Sequence, residues 1–128
     1  MAYSNMEFIE APAFTRYLPE YLDDEQYRRL QNELADNPEA GDVISGTGGF
    51  RKLRWADKRR GKGRRGGLRI IYYFFSSEQQ IWLMTLYDKD EAADLTSVEK
   101  KALKEAIATE LKAREAERAR EQPTRSQR

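Results

Sequence analysis

Eight consecutive residues, Leu-Arg-Ile-Ile-Tyr-Tyr-Phe-Phe at Leu68–Phe75, are apolar on both faces of an extended chain except at Arg69. A strand of that kind has to be covered on both sides, which places it in the middle of a sheet with a neighbour on each flank. It is also too short to span a bilayer as a helix. The neighbours are readable. Phe50 to Trp55 is a strand with Lys52 and Arg54 on one face and Arg51, Leu53 and Trp55 on the other. Ser-Ser-Glu-Gln-Gln at 76–80 is a hairpin-like break, and Ile81 to Tyr87 is a further strand. Three strands joined by short links predict an antiparallel meander.

The remaining elements fit around that meander. Met6 to Glu10 alternates apolar and polar residues, as a short first strand would. Ala11 to Tyr21 carries Phe14, Tyr17, Leu18 and Tyr21 at helical spacing, although Pro19 argues against a long continuous helix. Asp23 and Gln26 form a capping box ahead of a helix whose stripe is Tyr27, Leu30 and Leu34, and Asn37-Pro38 ends it. Thr96 and Glu99 cap the last helix, whose buried face is expected at Ala102, Leu103, Ala106, Ile107 and Leu111. Beyond Leu111 its apolar residues are alanines only. Residues 112–128 therefore read as a charged helical extension or disordered tail, with disorder expected from Pro123 onward. The expected fold is α+β: one strand, two helices, a three-strand meander in a small twisted antiparallel sheet, and a C-terminal helix, with one domain over residues 1–111.

Charge is distributed unevenly. The 128 residues carry a net +1, but residues 1–50 hold three basic and ten acidic side chains, residues 51–75 ten and one, and residues 76–128 ten and eleven. The central segment is thus +9, a local field that attracts polyanions whatever the overall balance. The stretch from Asp57 to Gly67 contains Gly61, Gly63, Gly66 and Gly67, which permit close backbone approach to a ligand. Trp55, Tyr72, Tyr73 and Tyr87 lie near these cations, a combination suited to unpaired RNA, with core packing the simpler role for Tyr72 to Phe75.

Other chemistries are narrowed by composition. There is no Cys and no His, which removes disulfides, thiolate metal sites and the commonest general base, and points to a reducing cytoplasm. No charged segment followed by a long apolar run marks the N-terminus as a signal peptide. Gly-Lys-Gly at 61–63 lacks the spacing of a P-loop and precedes a strand rather than a helix. Asp88, Asp90, Glu91 and Asp94 are acids able to hold Mg²⁺, but they precede a helix, where acids are expected for dipole reasons.

Three motifs together define a resemblance. Gly-Thr-Gly-Gly-Phe-Arg-Lys-Leu-Arg at 46–54, Gly-Lys-Gly-Arg-Arg-Gly-Gly-Leu-Arg-Ile-Ile-Tyr-Tyr at 61–73 and Leu-Tyr-Asp-Lys-Asp-Glu-Ala-Ala-Asp-Leu-Thr at 86–96 resemble the RelE/HigB-type toxins of bacterial type II toxin–antitoxin systems, most of all the HigB branch with a Gly-rich basic loop. The resemblance spans roughly residues 5–110. It implies a RelE-like fold and a ribosome-dependent endoribonuclease, an mRNA interferase that enters the ribosomal A site, cuts mRNA and stops translation. It implies no metal or organic cofactor. The implied partners are rRNA, mRNA and a cognate antitoxin, a small helix-turn-helix protein; operator DNA would be bound only through the toxin–antitoxin complex.

The resemblance also implies residue roles. Lys52 and Arg54 match the family's basic pair on its second strand. Arg69 matches the arginine that stabilises the transition state, and Lys89 a further basic position. Lys58, Arg59, Arg60, Lys62, Arg64 and Arg65 fall in the basic loop that grips rRNA and mRNA phosphates. Many relatives carry a Tyr or His near the start of the last helix, where this chain reads Ala-Asp-Leu-Thr, so Tyr87 and Lys89 become the candidates for proton transfer. Two rival readings use the same charge: a non-catalytic RNA- or ribosome-binding module, and a DNA-binding regulator. The latter is disfavoured because no helix has a basic exposed face.

Overall fold

A computed structural model describes residues 5–57, 67–92 and 94–121. Within these, the order is β1 (Glu7–Glu10), α1 (Pro12–Tyr21), α2 (Asp24–Asp36), β2 (Asp42–Val43), β3 (Arg51–Trp55), β4 (Leu68–Phe75), β5 (Gln80–Asp88) and α3 (Ser97–Arg120). The expected α+β class and element order are found, with β2 added inside the connector. The chain divides into two compact units: Met1–Ile44 with Gly49–Asp94, and Ser45–Gly48 with Leu95–Arg128.

In the first unit the strands form one sheet in the order β1-β5-β4-β3-β2, with β4 central as its two-sided apolarity requires. The β3–β4–β5 meander is antiparallel as predicted. The sheet as a whole is mixed, because β1 pairs parallel with β5, Phe8 opposite Ile81. That pairing needs a long connection, and residues 11–79 supply it, so alternation within Met6–Glu10 had no means of revealing the direction.

One face of this sheet carries the core. Leu53, Trp55, Leu68, Ile70, Tyr72, Ile81, Leu83 and Leu86 bury against Phe14 and Leu22 at α1 and against Leu30 and Leu34 of α2. Burial of a side chain such as Leu30 or Leu34, both fully inaccessible, contributes about 1.5–3 kcal/mol. Pro19 does not interrupt α1, which runs through it to Tyr21. It lies in the last turn, where only one interior hydrogen bond is forfeited, and the helix packs against β5 with Phe14 buried. The Asp23–Gln26 capping box forms in both directions, at 2.8 and 2.9 Å.

The connector after α2 is stitched to the sheet by polar contacts. The Tyr72 hydroxyl donates to the Pro38 carbonyl at 2.8 Å and accepts the Gly41 N–H at 2.9 Å, while Arg51 Nη1 donates to the Gly41 carbonyl at 2.8 Å. Gly41 has no room for a side chain: a Cβ there would sit 2.9 Å from the Lys52 carbonyl oxygen.

In the second unit, Thr96 and Glu99 close the predicted capping box and α3 continues to Arg120. Its buried face is narrower than the periodicity implied. Ile107 is buried, with Gly48 packed on its side chain, Leu103 and Ala106 are half-buried, and Ala102 and Leu111 are exposed. The described part of the extension is a helix laced by Glu110–Arg114 and Glu117–Arg120 pairs; Pro123 onward lies outside the described residues.

Candidate active site

The sheet face opposite the core has two ends. At one, Phe50, Tyr73, Phe75 and Trp82 form an aromatic cluster with ring centroids 4.8–6.2 Å apart. At the other lie the cations. Cross-strand register sets Arg54 of β3 directly opposite Arg69 of β4, and Arg69 directly opposite Tyr87 of β5. Residues directly opposite share a face, so Arg54, Arg69 and Tyr87 form one row about 10 Å long. Lys52 stands two residues from Arg54, on the same face in the next row.

Tyr87 reaches this face only because the sheet is irregular. Ile71 pairs with Thr85 but Tyr72 pairs with Leu83, so Met84 is an extra residue, a β-bulge. Strict alternation would have set Tyr87 on the same side as Ile81 and Leu83, in the core. The bulge turns it to the side of Arg69.

The side chains at this end differ in environment. Arg69 is 6% exposed, and its Nη1 donates to the Leu68 and Gly67 carbonyls at 3.2 and 3.3 Å, which pins the guanidinium at the start of β4. Arg54 is exposed, and among the described residues it forms no hydrogen bond or ion pair. Lys52 Nζ lies 3.5 Å from Asp94 Oδ2, and the Tyr87 hydroxyl donates to Asp94 Oδ1 at 2.7 Å. Lys89, exposed, follows β5 with its N–H donating to the Gly67 carbonyl at 3.3 Å, so it emerges at the same end of the sheet.

Five expected residues therefore gather at one end of the sheet: Lys52, Arg54, Arg69, Tyr87 and Lys89. Lys58, Arg59, Arg60, Lys62, Arg64 and Arg65 lie outside the described residues. The register decides two of the aromatics: the simpler core role holds for Tyr72, and Trp55, offered for base stacking, is corrected. Trp55 and Tyr72 face the helices and are buried, because they alternate with Arg54 and Ile71.

The acids at the end of β5 and beyond it are dispersed. Asp88 is buried and its Oδ1 accepts the Asp90 N–H at 2.8 Å, which shapes the turn, and Glu91 accepts the Tyr21 hydroxyl at 3.2 Å. Among the described residues no group of three or more acids is arranged to hold a metal ion. Asp94 is the residue that sequence reasoning passed over. It read as a dipole-favoured acid before α3, and no spacing rule connects it to Lys52, 42 positions earlier.

No family model matches the chain. Two solved structures resemble it in part. The isolated E. coli RelE toxin superposes over 79% of this chain and 98% of its own length, with a TM-score of 0.48 and 16% sequence identity. A chain of the archaeal RelE–RelB complex from Pyrococcus horikoshii superposes over 69% of this chain and 99% of its own, with a TM-score of 0.44 and 23% identity. Likeness at this level concerns the backbone and carries no chemistry.

Proposed function

We propose that this chain is the toxin of a bacterial type II toxin–antitoxin system, of the RelE/HigB type, acting in the cytoplasm as an endoribonuclease that cuts mRNA on the ribosome. The observation that supports this most is the row Arg54–Arg69–Tyr87 with Lys52 beside it. Two guanidinium groups in one row, with an ammonium in the next, form a surface that can pair with an anion. A phosphodiester is such an anion.

The site contains the parts that RNA cleavage requires. As the 2′-oxygen attacks, negative charge grows on the non-bridging phosphate oxygens. Arg69, pinned by backbone carbonyls, would stabilise that charge without reorganising, and Arg54 would add to it from the facing strand. Tyr87 and the lysines Lys52 and Lys89 are the groups able to move protons. Neither metal nor organic cofactor enters the scheme. The basic loop, from Lys58 to Arg65, would hold rRNA and mRNA phosphates around the A site. The cognate antitoxin, a small helix-turn-helix protein, would cover the cations and carry the pair to operator DNA.

Expression in bacteria without antitoxin should arrest growth, and primer extension should map cuts inside translated regions. Arg69→Ala, verified as folded, should lower the cleavage rate about 10²–10³-fold, the usual loss for one preorganised donor. Stalled ribosomes on uncut messages would instead identify a non-catalytic RNA-binding module.

A further inference from the structure

Asp94 has no part in the scheme above, yet both its carboxylate oxygens meet residues of the site. Oδ1 accepts the Tyr87 hydroxyl proton at 2.7 Å and Oδ2 lies 3.5 Å from Lys52 Nζ. Its side chain remains 69% exposed, so it is reachable from solvent. The hydrogen bond has a direction. With its proton committed to Asp94, the Tyr87 oxygen is left with lone pairs and can only accept from a further partner. A phenol oxygen takes up a proton readily only as it gives up its own.

We propose that Asp94 is a positioning residue that orients Tyr87 as a proton acceptor, receives the nucleophile's proton through it, and returns that proton to Lys52. The inference rests on the endoribonuclease reading of the site. In the step, the 2′-oxygen–phosphorus bond forms as the phosphorus–5′-oxygen bond breaks, which leaves a 2′,3′-cyclic phosphate and a 5′-hydroxyl. The 2′-hydroxyl proton passes to the Tyr87 oxygen while the Tyr87 proton passes to Asp94 Oδ1. The departing 5′-oxygen takes a proton from the Lys52 ammonium. Asp94 is then a carboxylic acid 3.5 Å from a neutral amine, and the proton passes from the acid to the amine. That transfer restores both groups, and no proton is gained or lost by the protein. A chain without histidine thereby obtains a base and an acid from one carboxylate bridging a tyrosine and a lysine.

The test uses the full chain on ribosomes programmed with a defined mRNA, and reads single-turnover cleavage separately from ribosome affinity. Asp94→Asn keeps an oxygen that accepts from Tyr87 but cannot take up a proton. It should cleave about 10²-fold more slowly, within the span usual for proton-transfer groups, with ribosome affinity and thermal unfolding unchanged. Asp94→Glu, which keeps the proton acceptor, should recover at least about tenfold over Asp94→Asn. Tyr87→Phe should make Asp94→Asn nearly silent, because the two act as one unit. Cleavage by Asp94→Asn within about threefold of the unaltered chain, or full additivity of the two substitutions, overturns the inference. An unaltered chain that leaves the message whole overturns the endoribonuclease reading itself, a different outcome.

Discussion

Replacing Arg54 with Met should leave stability nearly unchanged and make the protein less active. Arg54 stands opposite Arg69 in the β3–β4 ladder, where Cα atoms sit about 4.5–5.5 Å apart. Arg54 is exposed, and Met retains the unbranched hydrocarbon stem that packs along the strand. A surface substitution of this kind should change stability by no more than about 0.5 kcal/mol, a shift of at most about 0.2–0.5 M in the urea midpoint. Cleavage on programmed ribosomes should fall about 10²-fold over the same comparison. Urea unfolding, run beside the cleavage assay, checks both halves. A loss of more than about 0.5 kcal/mol, or undiminished cleavage by the folded variant, refutes the claim that Arg54 serves a ligand rather than the fold.

Tyr72→Phe strips the partner from the buried Gly41 N–H and the Pro38 carbonyl, which should cost about 2–4 kcal/mol and lower the melting temperature by roughly 10 °C. Gly41→Ala drives a methyl against the Lys52 carbonyl and the Tyr72 ring and should cost about 1–3 kcal/mol, measured by denaturant unfolding. Alkaline pH should unfold the protein through Tyr27 and Tyr72. Burial raises both phenols, and for Tyr27 the Glu10 carboxylate that accepts its hydroxyl adds to the effect. The folded state therefore holds these protons where the unfolded chain releases them, so their contribution is complete below about pH 10 and is lost as pH rises through the folded values. Tyr72→Phe should flatten that alkaline limb in a plot of stability against pH.

Much of this protein is legible from local rules. Leu68–Phe75 had to be an interior strand, because no other placement covers both its faces, and the two capping boxes mark where α2 and α3 begin. Arg69 stands out by the same logic as the one cation in an otherwise apolar strand, and simple alternation sets Lys52 and Arg54 on one face of β3. What the chain's periodicity alone could not decide depends on pairings between distant segments. The parallel docking of β1 on β5 is one such pairing. The extra residue at Met84 is another: it reverses the alternation of β5 and lifts Tyr87 from the core side to the side of Arg69. The closure of Asp94 onto Lys52 and Tyr87 is a third. Side-chain alternation is a property of neighbouring peptide units and is written in the sequence, whereas register and loop closure are settled by the free energy of the whole sheet.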